Sequence, residues 1–280
     1  MRTLNLNSLF RGTNKLPEHM LVKAYAMLDT PIHNEINTFL LKNISPEGGF
    51  VNREGKPDLY YSLFGFFILR ALGMVKEQKA ISDFIRKATP DIKPPSPDFF
   101  AVTILAAALL PNDQMTAVLK SKLKHFMFSA SRPGDYQIFM GMLAFFYLKD
   151  YISLSRLVLF QKNKASDTKE HPSSILAASI ILAKLRGKST IDFERELMNF
   201  YSKPGGFKAL KNAPLPDLLS TAVSLYALHF CDADIRLIRP DCIEFVEQLY
   251  KDGGFCATVL DDETDVEYLF YGLLALGSLK

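Results

Sequence analysis

The chain has 280 residues, 48% of them hydrophobic and 22% charged, with a formal net charge of +3 and no tryptophan. That composition suits a globular protein with a large core. A charge this small, without a long basic run, argues against a nucleic-acid partner. The absence of Trp counts against a glycan-processing site, whereas 22 Phe and 11 Tyr suit a hydrocarbon guest as well as a core. Cys231, Cys242 and Cys256 form neither a CxxC pair nor an even-numbered framework, which points to free thiols in a reducing, cytoplasmic setting. Phe99–Leu110, among the longest apolar runs, is too short to cross a bilayer, so an integral membrane protein is not expected.

Residues 1–30 read as an N-terminal extension without a signal-peptide core, followed by repeats over residues 31–280. The first repeat opens with Gly48-Gly49-Phe50, continues through a loop to Asp58, and enters the apolar run LYYSLFGFFILRA. Ser96-Pro97-Asp98 opens FFAVTILAAALL, Pro133-Gly134-Asp135 opens YQIFMGMLAFFYL, and His171-Pro172-Ser173-Ser174 opens ILAASIILAKL. Gly205-Gly206-Phe207 leads to Asp217 and a fifth run, and Gly253-Gly254-Phe255 leads to Asp265 and a sixth. Between the copies lie amphipathic stretches, Ile81–Lys87, Thr116–His125, Ile191–Tyr201 and Ile243–Lys251.

Helices apolar nearly all round are buried on both sides, and amphipathic ones face water. Six such pairs predict an all-α, single-domain (α/α)6 toroid over residues 1–280, with inner and outer helices alternating and no sustained strand. An Asp directly before a helix caps its first-turn N–H groups, and this is the default role of each repeat aspartate. If every inner helix is followed by an outer one, all inner N-termini gather at one mouth, where helix dipoles favour anions. The loops feeding that mouth carry Arg53, Lys56, Arg132, Lys169, Lys208 and Lys211, opposed by Asp261, Asp262 and Glu263.

The frame of GGF, loop, Asp and apolar helix, clearest in DGGFCATVLDDETDVEYLFYGLLALG and GGFVNREGKPDLYYSLFGFFILRALG, resembles the repeat of protein prenyltransferase β-subunits and of the related squalene-hopene and terpene cyclases. The resemblance implies a toroid with an isoprenoid-lined cavity, a diphosphate site and a catalytic zinc. Asp217 matches the first zinc ligand of that family, but Leu219 stands at the Cys position and Tyr268 at the His position, so zinc is not expected. His171 falls where the family's diphosphate-contacting His begins a helix, and Lys208 or Lys211 matches its basic loop; Gln137 replaces an arginine. Since the β-subunits work as halves of heterodimers, a helical protein partner is a second expectation.

Asp261-Asp262-Glu263-Thr264-Asp265 also spells DDxxD, a magnesium-binding pattern of class I terpene synthases. Here Asp265 doubles as a cap and the others lie in a loop, so magnesium at Asp261 and Asp262 is the weaker reading, and no DxDD proton donor occurs. The candidate site therefore comprises Asp217, Asp265 and Tyr268 for catalysis, and His171, Lys208, Lys211, Arg132 and Arg53 for an isoprenoid diphosphate. Tyr61, Phe64, Tyr136 and Tyr271 would line the cavity, where aromatic faces favour a carbocation. The alternative is a non-catalytic lipid-binding or scaffold protein.

Overall fold

The computed structural model describes residues 15–88, 92–129, 133–160, 171–203 and 205–280, without the side chains of Ala88, Asp135 and Phe160. The chain is predominantly helical and divides into two compact units, one of Met1–Thr13 and Ile44–Ser166, the other of Asn14–Asn43 and Asp167–Lys280.

Unit 1 holds α3 (Leu59–Ala71), α4 (Val75–Ala88), α5 (Pro97–Leu109), α6 (Gln114–Phe128), α7 (Asp135–Tyr147) and α8 (Tyr151–Phe160). The apolar helices α3, α5 and α7 pack in series, with α4 against both α3 and α5, and α6 against both α5 and α7. Burial follows composition. Helix α5 buries every residue from Phe99 to Ala107, and its one polar member, Thr103, returns its hydroxyl to the Phe99 carbonyl at 2.7 Å. Helix α4 buries only the stripe of Ile81, Phe84 and Ile85. The charge of Asp58, before α3, acts on Asp98 in the first turn of α5, so these two N-termini lie side by side.

Unit 2 holds α1 (Pro17–Tyr25), α2 (Thr30–Lys42), α9 (Ser173–Leu185), α10 (Ile191–Leu197), a 3-10 turn at Met198–Phe200, α11 (Leu218–Phe230), α12 (Arg239–Gln248), β1 (Tyr250–Lys251), β2 (Gly254–Cys256), β3 (Thr264–Asp265) and α13 (Val266–Ser278). Helices α9, α11 and α13 pack in series; α10 covers α9, and α12 and α1 cover α13. The strands form one antiparallel sheet ordered β1-β2-β3, pairing Tyr250 with Phe255 and Phe255 with Asp265. These strands are only two or three residues long, so none is a sustained strand. Each is the local ladder formed where the GGF turn folds back beside its aspartate, as the single bridges Val51–Pro57 and Phe207–Asp217 do in the other copies.

The three GGF copies share one geometry. Gly48 has φ 104°, and a Cβ there would meet the Ala80 carbonyl, while the next glycine, Gly49, rests on the Phe84 ring. Gly205 meets the Asp241 carbonyl and Gly206 the Phe245 ring; Gly253 meets the Glu35 carbonyl and Gly254 the Phe39 ring. In every copy a helix presents a carbonyl and, four residues on, a phenylalanine to the glycine pair, an approach that only glycine permits. The phenylalanine of the turn then enters the core: Phe50 lies on Gly65 and Phe255 on Gly272.

The helices on which these turns rest are α4, α12 and, for the last copy, α2. The sixth apolar helix therefore has its glycine turn seated on a helix of the N-terminal segment. Residues 17–25, expected as part of an extension, form α1, which buries Met20, Leu21 and Ala24 and sets its backbone against Gly277 of α13. Tyr226 donates its hydroxyl to the Lys15 carbonyl at 2.7 Å, and Lys15 spans the Phe230 carbonyl and Asp232 at 2.9 and 2.6 Å.

Candidate functional site

At one end of unit 2 the N-termini of α9, α11 and α13 are stitched together. Ser173 donates its N–H to the carbonyl of Ala209, in the loop before α11, and Leu218 to that of Ala257, in the loop before α13, each at 2.9 Å. Each loop thus closes the helix of the preceding repeat, which fixes three parallel helix ends side by side. His171 stands two residues before α9, half-buried, and Lys208 is half-buried in the loop before α11. The N-terminus of α9 carries no side-chain cap, so with a half-buried imidazole and an ammonium nearby this end is suited to an anionic group.

The aspartates expected as caps divide into two groups. Asp58, Asp217 and Asp265 cap α3, α11 and α13, accepting from Tyr61, Ser220 and Tyr268 N–H groups at 3.0, 2.7 and 2.8 Å. Their backbone N–H or strand pairing also ties them to Phe50, Phe207 and Phe255. Asp98 and Asp135 do not stand at the N-cap positions, which fall to Ser96 and Gly134. Ser96 caps α5 through the Phe99 N–H at 3.2 Å, because Pro97 takes the first helical position and moves Asp98 inside the turn. Gly134 precedes α7, and its N–H donates to Gln137 Oε1 at 2.9 Å. Asp98 keeps a carboxyl raised above the usual range, first by burial and second by the charge of Asp58.

Of the three residues assigned to catalysis, Asp265 is 4% exposed and committed to its cap. Asp217 is half-buried, and burial pushes its carboxyl up against the lowering effect of the Ser220 and Ala209 bonds. Tyr268 is half-buried, with its ring 6.2 Å from that of Tyr271, and Tyr271 is buried against Phe270. Leu219 is half-buried in the first turn of α11.

The acidic loop is occupied by its own structure. Asp261 accepts from the Ala257 and Glu263 N–H groups at 3.3 and 3.1 Å, while Asp262 is exposed and paired with Lys251 at 3.4 Å. Among the described residues no group of three or more His, Cys, Asp or Glu side chains is placed to hold a metal ion. Lys211 lies at the 3-10 turn, 3.8 Å from Glu196 and 5.4 Å from the centre of the Phe200 ring. It faces α10, so Lys208 is the better placed of the two for the helix ends.

In unit 1, Arg53 is exposed on the turn closed by Asn52 and Lys56. Tyr61 is half-buried, Phe64 is buried beneath Tyr60 at 4.9 Å, and Tyr136 is 43% exposed at the start of α7. Arg132 and Lys169 lie outside the described residues. No described helix is long and apolar enough to cross a membrane.

Sequence reasoning overlooked the tyrosines that lock the last two GGF turns. Tyr201 donates its hydroxyl to Asp241 at 3.0 Å and Tyr250 to Glu35 at 2.6 Å, and each carboxylate belongs to the residue whose carbonyl meets the first glycine of the turn. The tyrosine preceding each Gly-Gly pair was the available signal. Also overlooked was a cavity beside α12, marked in the sequence only by the four-residue spacing of Arg239, Ile243 and Glu247. No protein-family model matches the chain, and no curated protein matches it either.

Proposed function

We propose that this chain is a prenyltransferase-like α/α-toroid protein that binds an amphiphile with an anionic head, of the isoprenoid diphosphate kind, without zinc-assisted chemistry. The observation that carries this reading is the α9 N-terminus, which has no side-chain cap, beside His171 and Lys208 and joined to the loop before α11. Helix ends and cationic side chains attract a diphosphate, and the apolar helices behind them suit a hydrocarbon tail. Leu219 and Tyr268 offer no thiolate or imidazole to complete a zinc site with Asp217. A magnesium-assisted route would require Asp261 and Asp262 to leave the loop and Lys251 contacts they make.

Thermal unfolding with farnesyl diphosphate, geranylgeranyl diphosphate, geranylgeraniol and inorganic pyrophosphate tests the reading. Ligand at a hundred times its Kd adds about 2.7 kcal/mol, a rise in Tm of roughly 5 °C or more. The prenyl diphosphates should give it, the alcohol and pyrophosphate much less, and Lys208→Glu should abolish it. No rise with either prenyl diphosphate overturns the proposal.

A second reading, a scaffold for a helical partner, draws on the outer face of α8. Ile152 is 85% and Leu159 47% exposed there, lining a shallow depression with Tyr151 and Arg156. A stable heteromeric complex in native mass spectrometry that Ile152→Lys disrupts would favour it.

A further inference from the structure

Unit 2 has a cavity of 330 Å³ bounded by the α1–α2 connection, α2, α12, β1 and the C-terminal end of α13. Its floor is apolar and well covered: Phe255 is 2%, Leu276 8% and Leu279 3% exposed. Close-packed interiors leave few voids of this size, and the volume lies within the range of small-ligand pockets.

The wall supplied by α12 has a distinct charge pattern. Arg239, Ile243 and Glu247 all line the cavity at four-residue spacing, so one face of the helix presents a cation, an aliphatic side chain and an anion in turn. Arg239 and Glu247 are both exposed, and neither has an ion-pair partner among the described residues. Eight residues of helix separate the charged positions by roughly 12 Å. The hydroxyl of Tyr250, a third polar group of the wall, is already committed to Glu35 at 2.6 Å. The two unpaired charges are therefore the groups left to orient a guest.

We propose that this cavity binds a small, elongated dipolar molecule, with its anionic end at Arg239, its cationic end at Glu247 and an apolar middle over Ile243, Phe255 and Leu276. A guest of this class pairs both charges while removing apolar wall from water, whereas a singly charged one leaves a charge unpaired. The site is built from α12, α2 and the end of α13, and it does not depend on the diphosphate reading at the other helix ends.

Isothermal titration calorimetry with ω-aminooctanoate, octanoate and octylamine tests it. The expected result is saturable binding of ω-aminooctanoate, with octanoate and octylamine each roughly tenfold or more weaker, the weight of one charge-assisted hydrogen bond. Arg239→Glu and Glu247→Arg should each lose that binding, and the combined exchange should restore it, since the guest can turn end for end. Ile243→Trp should fill the cavity and abolish binding while Tm stays near that of the parent; Arg239 and Glu247 are exposed, so their variants are expected to fold. No saturable binding of ω-aminooctanoate, equal binding of octanoate or octylamine, or no recovery in the combined exchange overturns the proposal. Prenyl diphosphate thermal shifts of the Ile243→Trp variant, unchanged from the parent, would separate the two sites.

Discussion

Asp58, Asp217 and Asp265 share one local task, and replacing any of them by Ala should cost about 1 kcal/mol of stability in urea unfolding, the usual weight of a cap. Asp217 differs in its pH response. Burial raises its carboxyl, so its contribution is fully present below the ordinary value of 3.8 and is lost as pH rises through the folded value. Asp217→Asn keeps an acceptor for the Ser220 N–H and removes the buried charge, so the variant should match or exceed the parent at neutral pH. Asp150 behaves in the opposite sense. Burial, 8% exposure, pushes its carboxyl up, but bonds from Lys124, the Ser153 N–H and Lys120 outweigh this and hold it at about 2. Its contribution is present above 3.8 and lost as pH falls toward 2, so Asp150→Asn should flatten the acid side of a plot of urea midpoint against pH.

At the scale of the element, the repeat is a clasp between a glycine turn and the helix it rests on. Gly253→Ala places a side chain at φ 86° and against the Glu35 carbonyl, so α2 must shift. A loss of about 3 kcal/mol is expected from left-handed strain and overpacking together, read from chemical unfolding. Tyr250→Phe removes only the hydroxyl bond to Glu35 and should cost about 1 kcal/mol. In the parent that tyrosine should ionise later than an ordinary phenol, because burial first and the Glu35 bond second both raise it. The Gly-Gly-Phe spelling made the turn legible, and the apolar runs made the buried helices legible. The partner of each turn was not, since Ala80, Asp241 and Glu35 share no residue type and contribute a backbone carbonyl.

At the scale of the whole molecule, the N-terminal segment completes the end of the chain within unit 2. Deleting residues 15–43 would uncover the face of α13 held by Met20, Leu21 and Ala24 and remove the helix beneath the last glycine turn. The shortened protein should aggregate or lose cooperative unfolding, whereas deletion of a dispensable extension would leave the melting curve unchanged. The same segment supplies Met27, Leu28 and Ile32 to the 330 Å³ cavity, so binding of ω-aminooctanoate should disappear with it.

The sequence by itself determined the helical class, the six apolar helices and the three glycine turns with their capping aspartates. All of these depend on contacts between near neighbours in the chain and on which side chains avoid water. Only the tertiary structure decided that Ser96 and Gly134, not Asp98 and Asp135, hold the N-cap positions, that Lys211 faces α10, and that Asp261 is bound to its own loop. It alone brought α1 to α13 and Tyr250 to Glu35, the latter a contact between residues 215 positions apart. Local pattern fixes where a helix begins, but which surface covers it depends on the burial of apolar area, a force without direction along the chain that local periodicity cannot encode.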